Sequence, residues 1–311
     1  MNQSKSNSIQ RFGSFFIQHK ENEDNYFIRN EEISADDSKK LDELENTIFS
    51  LQLITFALDG VEKNYLELIS SIENHETHLN NLGKENLNAL PILDVIKGKL
   101  SVSQKIDNFL SSTSAFLCRT DKQLQYMYEK NSSEYMAWDK LRKDLHASSF
   151  SYKFIYQLRN YSQHRNLPFS RYLVSGESEP VSNHMIFKAD IIVVRDKLLE
   201  DGEDLWNAST KAELKTQPSE FDLLPFITEY LQHMRQLCLE ALRFKNVQFV
   251  ELNNYLGAIT SKNPADTIPI IYVGESESEN SPPPKAKIIP IEEFKCLLKE
   301  FNRLLTIFKP E

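Results

Sequence analysis

The sequence predicts a mainly α-helical fold: a helical bundle with a small β insertion and a C-terminal extension of mixed α and β structure. Apolar residues recur at steps of three and four along most of the 311 residues, which is the pattern of amphipathic helices. Glycine is scarce, with 8 in the chain, and this argues against an all-β fold with many tight turns. Only three stretches are predicted to be strands, so we expect little β structure.

The first part of the chain predicts an arm followed by long helices. Residues 1–40 are polar apart from an apolar cluster within Phe12–Ile17, so we expect a partly ordered arm. One helix is expected from Leu41 to about His75. Another is expected from about Ser103 to the break at Asn131-Ser132-Ser133, and a shorter helix follows.

The next segment fits two patterns. Aromatic residues occupy every second position of Phe150–Tyr156, as in a strand. However, Phe154, Leu158 and Tyr161 stand at i, i+4 and i+7, which favours a helix. We predict a helix that ends before Pro168, because proline disfavours helical geometry in the residue ahead of it.

The chain after Pro168 is predicted to contain both helices and strands. In order, we expect a polar loop at 175–180, a strand at 184–194, a short helix near Trp206 and Leu214, a long helix from Phe221 to Phe249, a strand at 268–273, a Ser/Glu/Pro-rich loop at 275–284, a short strand at Ile288–Ile289 and a helix at 292–307. The predicted organisation is an arm at 1–40, a helical domain at 41–260 with a β insert near 184–194, and an extension at 261–311.

The charge distribution is uneven. The net charge is −9, yet the stretch Arg119–Tyr172 has ten Lys and Arg against five acids, a local +5 that leaves −14 for the rest. Such a field can attract a polyanion, although a mixed-charge helix surface is the simpler interpretation.

We expect a cytoplasmic protein with no membrane segment. The first residues lack a signal-peptide core, and no apolar window is long enough to span a bilayer. Three scattered cysteines, Cys118, Cys238 and Cys296, form neither a zinc motif nor a disulfide framework and are predicted to be buried thiols.

Most familiar site motifs are missing. There is no Walker loop, no Gly-x-Gly-x-x-Gly and no Gly-x-Ser-x-Gly elbow. His75 and His78 stand at i, i+3 without further ligands, so we interpret them as an exposed polar helix end and expect no metal and no cofactor.

The remaining candidate is Arg159-Asn160-x-x-x-His164. An imidazole can take a proton from a ribose 2′-hydroxyl or give one to the leaving 5′-oxygen at neutral pH. A guanidinium can stabilise the charge on the phosphate oxygens, and Asn160, one turn before His164, can orient the imidazole. Because a helix C-terminus repels phosphate, Arg159 is expected to bind the anion with help from Arg165 and Lys153.

Helix geometry constrains this site. Arg159 and His164 lie roughly 140° apart around a regular helix and about 7.5 Å apart along it, so they do not converge on one phosphate. Either the last turn unwinds ahead of Pro168, or two copies of the chain assemble the site, in which case a symmetric dimer is part of the mechanism.

Leu158-Arg159-Asn160-Tyr161-Ser162-Gln163-His164, among long helices, resembles the motif of the HEPN superfamily. The resemblance implies a homodimeric helical bundle with Arg159, Asn160 and His164 at the helix interface, and metal-independent RNA cleavage. It also implies a role as a toxin of a toxin–antitoxin pair, with an antitoxin or another defence protein as partner, or in abortive infection and other anti-phage defence. Asn166 stands where one branch of the family has a nucleotidylated Tyr, so that control is not expected here.

We therefore expect an endoribonuclease, with the RNA as its substrate. The alternatives are a non-catalytic HEPN-like scaffold and a nucleotide- or RNA-binding module of a defence system, although the sequence offers no phosphate loop for a nucleotide.

Overall fold

The computed structural model describes residues 9–16, 26–85, 92–178, 185–263, 267–273 and 285–309. In these residues the chain forms nine helices and seven strands, which confirms the predicted mainly α fold with small β elements. None of the described helices is long and apolar enough to cross a bilayer. The loop predicted at 275–284 and His184 lie outside the described residues.

The helices are α1 (Ala35–Glu85), α2 (Ile92–Tyr128), α3 (Ser133–Ser148), α4 (Phe150–His164), α5 (Arg195–Asp201), α6 (Ala208–Thr216), α7 (Leu224–Arg243), α8 (Asn246–Ser261) and α9 (Ile291–Ile307). The strands are β1 (Gln10–Phe16), β2 (Tyr26–Glu32), β3 (Arg171–Ser178), β4 (Met185–Val194), β5 (Glu220–Asp222), β6 (Thr267–Val273) and β7 (Ala286–Ile288).

The chain divides into two compact units, one formed by residues 1–52 and 242–311 and the other by residues 53–241. The first unit has a four-stranded antiparallel sheet in the order β2-β1-β6-β7. Strand β1 pairs with β6 along its whole length, so the predicted arm and the predicted C-terminal extension share one sheet. The ring of Phe249 contacts the rings of Phe294 and Phe301, at centroid distances of 6.0 and 5.4 Å, in the apolar core of this unit.

The second unit contains the candidate site. Its helices include α2, α3 and α4, and its three-stranded antiparallel sheet has the order β3-β4-β5. The fully buried indole of Trp138 on α3 donates a hydrogen bond from Nε1 to the Leu237 carbonyl oxygen of α7, at 3.1 Å. Because a buried indole N–H needs a partner, this bond fixes the packing of α3 on α7.

Several predicted elements are confirmed, and others differ. The helix over 150–164, the strand at 185–194 and the helix at 291–307 are present. The polar loop predicted at 175–180 is strand as far as Ser178, because β3 is an edge strand whose backbone pairs with β4 whatever its side chains. The single helix predicted over 221–249 begins at Leu224 and is broken at Lys245 into α7 and α8. Apolar residues keep their helical spacing across that break, so the sequence pattern could not predict it.

The prediction of three buried cysteines is right for Cys238 only, since Cys118 and Cys296 are exposed. Each exposed cysteine precedes or follows a buried apolar residue, but one step along a helix turns the side chain by about 100°. An apolar neighbour in the sequence therefore did not predict that a cysteine is buried.

His75 is also more than an exposed helix end. One ring nitrogen hydrogen-bonds the Tyr172 hydroxyl at 2.7 Å, and the other hydrogen-bonds the Asp94 carbonyl oxygen at 3.0 Å. The ring packs against Gly98 of α2 so closely that a Cβ at that glycine would lie 2.4 Å from it. His75 thus joins α1 to α2 and β3. In the part of the chain that the structure describes, no group of three metal-ligating side chains is present.

We expect Gly98→Ala to lower the free energy of unfolding by about 1–3 kcal/mol, because the new methyl group displaces the His75 ring. The matched control is Gly60→Ala on α1, where a Cβ meets no atom within 4 Å. It should raise the free energy of unfolding by about 0.5–1 kcal/mol through helix propensity alone. Urea unfolding followed by circular dichroism measures both, and stabilisation by both substitutions would show that the His75 contact is unimportant.

Candidate functional site

The helix that carries the motif is regular to its end. The Ser149 hydroxyl caps α4 by accepting the Tyr152 backbone N–H at 3.1 Å, and the Arg165 N–H donates to the Tyr161 carbonyl oxygen at 2.9 Å. The helix therefore continues through His164 and ends there. The alternative of an unwound last turn ahead of Pro168 is not what the structure shows.

Arg159 is a partly buried cation with unused hydrogen-bonding capacity. Its Nη1 lies 3.5 Å from the Asn160 side-chain oxygen, a long and weak contact. Its Nε is buried and has no hydrogen-bond partner. Among the described residues no carboxylate lies within ion-pair distance of this guanidinium. A guanidinium in this state is suited to accept an anion, because the anion would satisfy a donor that is otherwise left unpaired.

A small cavity adjoins this guanidinium. Its volume is about 40 Å³, room for about one water molecule and not for a nucleotide. It is lined by residues of α2, α4 and α7: Leu110, Thr113, Ser114, Ile155, Tyr156, Arg159, Asn160 and Tyr230. A nucleic acid would therefore have to lie across the surface of α4, with at most one small polar group entering the cavity.

His164 is exposed at the last position of α4. Over the described ranges its ring takes part in no hydrogen bond or ion pair. The expected contact between Asn160 and His164 is absent, and the Asn160 amide faces Arg159 instead. On this regular helix Arg159 and His164 point roughly 140° apart. The structure brings Arg159 and Asn160 together and leaves His164 separate within one chain.

The predicted role of Lys153 in RNA binding is not supported by its position. Its side chain is 3% exposed, and Nζ lies 2.5 Å from Glu213 and 3.2 Å from the Ala147 carbonyl oxygen. The charge is thus neutralised inside the protein. Arg165 is exposed, but both oxygens of Asp204 accept from its Nη2, at 2.7 and 2.6 Å. It could contact a phosphate only by exchanging that partner.

Other cations of the basic stretch are also paired. Arg142 and Lys143 share Asp139, Lys140 pairs with Asp144, and Arg171 pairs with Glu220. The mixed-charge helix surface, the simpler interpretation of the local +5, therefore describes much of this stretch. Arg159 differs from these residues because no acid of the described ranges lies within ion-pair distance of it.

Asp107 of α2 is a residue that sequence reasoning missed. Its Oδ1 is buried without a hydrogen-bond partner, and burial raises the pKa of its carboxyl above the ordinary value. The Ser162 hydroxyl of α4, between Arg159 and His164, offsets part of that rise. That hydroxyl has one proton and also reaches the Arg159 carbonyl oxygen at 3.1 Å, so it cannot serve both acceptors at once. A single Asp in an apolar helical repeat gave no signal in the sequence.

Comparisons with known protein families, with curated proteins and with solved structures find nothing that matches this chain. The HEPN resemblance thus rests on the motif at Arg159–His164 and on the helical layout.

We expect Asp107→Asn to raise the free energy of unfolding at pH 7, by up to about 1 kcal/mol because the carboxyl keeps part of its hydration. A raised folded-state pKa means that folding disfavours the charged form. The free-energy cost of burying the charged carboxylate is absent at pH values below the ordinary pKa of 3.8 and complete at pH values above the raised pKa. The stability gained by Asp107→Asn should therefore be smaller near pH 3 than at pH 7. Urea unfolding at these two pH values measures the difference.

The matched control is Asp59→Asn at an exposed position of α1, which should change stability little at either pH. A loss of stability at pH 7 on Asp107→Asn would instead mean that a partner stabilises the Asp107 carboxylate.

Proposed function

We propose that the protein is a metal-independent endoribonuclease of the HEPN type. The observation that carries the proposal is the guanidinium of Arg159. Among the described residues no acid lies within ion-pair distance of it and its buried Nε has no partner, and its helix ends in the exposed imidazole of His164. Cleavage of RNA by its own 2′-hydroxyl is helped by a side chain that moves a proton and by one that binds the phosphate. His164 can supply the first and Arg159 the second.

In the proposed reaction the ribose 2′-oxygen attacks the adjacent phosphorus while the bond from phosphorus to the 5′-oxygen breaks. The 2′-hydroxyl loses its proton and the leaving 5′-oxygen gains one; His164 makes one of these transfers and water makes the other. The products are a 2′,3′-cyclic phosphate and a 5′-hydroxyl. Arg159 stabilises the negative charge on the non-bridging oxygens, and Asn160 helps to orient the guanidinium.

We further propose that the site is shared in a homodimer. The regular helix keeps Arg159 and His164 apart within one chain. A two-fold axis beside α4 would place His164 of one protomer near the phosphate held by the partner protomer. We also propose that the enzyme is cytoplasmic and that, as the resemblance implies, it acts as a toxin or anti-phage effector restrained by an antitoxin or another defence protein.

A non-catalytic module that binds a partner protein is the second candidate. Leu93, Ile96 and Leu100 stand at i, i+3 and i+7 on α2 and are 71, 49 and 61% exposed. An apolar stripe of this kind favours contact with another protein. In this alternative the stripe is required for function, whereas the His164 ring is dispensable.

Replacing His164 by alanine should lower RNA cleavage by purified protein at least about 100-fold, because proton transfer by a positioned side chain contributes that much. His78→Ala, at another exposed histidine, is the matched control and should cleave like wild type. Cleavage should survive EDTA and leave 2′,3′-cyclic phosphate ends, which mass spectrometry of the fragments detects. Equal cleavage by His164→Ala would refute this mechanism, and loss of activity in EDTA would refute metal independence.

A further inference from the structure

The solvent-facing side of α4 presents an aromatic ring beside the candidate phosphate-binding group. Tyr156 is 45% exposed, and it precedes Arg159 by three residues and Asn160 by four. Residues at these spacings are neighbours on a helix surface. Tyr156 also lines the small cavity with both of them. An exposed ring and an unneutralised cation therefore lie next to each other.

The Tyr156 ring is supported from the side. The imidazole of His146, in the last turn of α3, lies 6.1 Å from it in an edge-to-face arrangement, and the buried Tyr152 ring supports the same imidazole at 6.0 Å. A ring already held by neighbours loses less conformational entropy when a ligand stacks on it. Its hydroxyl makes no hydrogen bond to any described residue.

Two described cations near Tyr156 are already paired with acids. Lys153 is paired with Glu213, and Arg142 is paired with Asp139. Burial, followed by the positive charges of Lys153 and Arg142, lowers the pKa of His146, so its ring is neutral at pH 7. Of the three described cations Lys153, Arg142 and Arg159, Arg159 is thus the one that an anion can reach without displacing an acid.

We propose that Tyr156 is a base-stacking platform: the base of a nucleotide whose phosphate contacts Arg159 stacks on its exposed face. This inference rests on the proposed ribonuclease function and adds a substrate class to it. Only an unpaired base can leave its neighbours and stack on a side chain, so the substrate is single-stranded RNA. Stacking tolerates any base, which predicts cleavage in single-stranded regions with little sequence preference from this contact.

The test measures binding in the His164→Ala background, so that the RNA is not consumed. The probe is a fluorescein-labelled single-stranded RNA of twelve nucleotides, and anisotropy gives its Kd. Tyr156→Ala and Tyr156→Leu should each raise the Kd at least about fivefold, whereas Tyr156→Phe should leave it unchanged, because stacking needs only the ring. Leucine retains an apolar contact with the His146 ring and so separates stacking from loss of packing. Binding of the same sequence as a duplex should be weaker and insensitive to all three changes.

Tyr126→Ala is the matched control, since this tyrosine of α2 is 79% exposed and has no part in the proposed site. It should leave the Kd unchanged. If the His164→Ala protein binds the RNA and the Tyr156 variants bind equally well, the stacking platform is refuted while the ribonuclease proposal stands. If the His164→Ala protein binds no RNA, the ribonuclease proposal and the platform both fail.

Discussion

The indole of Trp206 holds the second half of α4 in place. It stacks against Phe154 and Tyr161, at ring-centroid distances of 5.9 and 5.8 Å, and donates a hydrogen bond to the Leu198 carbonyl oxygen at 3.1 Å. Two rings separated by seven residues stay on one face only if the helix between them is regular. This packing keeps α4 regular as far as Tyr161. The hydrogen bond from the Arg165 N–H to the Tyr161 carbonyl oxygen then closes the last turn, so the motif residues keep the directions of an ideal helix.

Ion pairing distinguishes Arg159 from many other cations of the basic stretch. The basic stretch of the sequence folds into a surface on which many cations have acidic partners, among them Lys153, which is held inside the protein by Glu213. Arg159 keeps a buried and unpaired Nε, and Asp107 keeps a buried and unpaired carboxylate oxygen. Unpaired buried polar groups cost stability, so an anion bound at Arg159 would supply a partner for the Nε that the described residues leave unpaired.

The sequence predicted the helical fold and the motif-bearing helix well, because Phe154, Leu158 and Tyr161 repeat with the helical period. It did not predict the edge strand β3, because the second half of this strand is polar and is held by backbone pairing with β4. It also could not predict which charges pair, since Lys153 and Glu213 are 60 residues apart. Asp107 was missed for a similar reason, as its contact with Ser162 depends on the packing of α2 against α4.

We infer that Arg159 of one protomer and His164 of its partner act on the same phosphate. Mixing Arg159→Ala protein with His164→Ala protein, each inactive alone, tests it directly by RNA cleavage after subunit exchange. Half of the dimers are then mixed and each has one intact site, so we expect about one quarter of wild-type activity. If the mixture stays as inactive as the two separate variants while mixed dimers are shown to form, the site lies within one chain and the shared-site account is wrong.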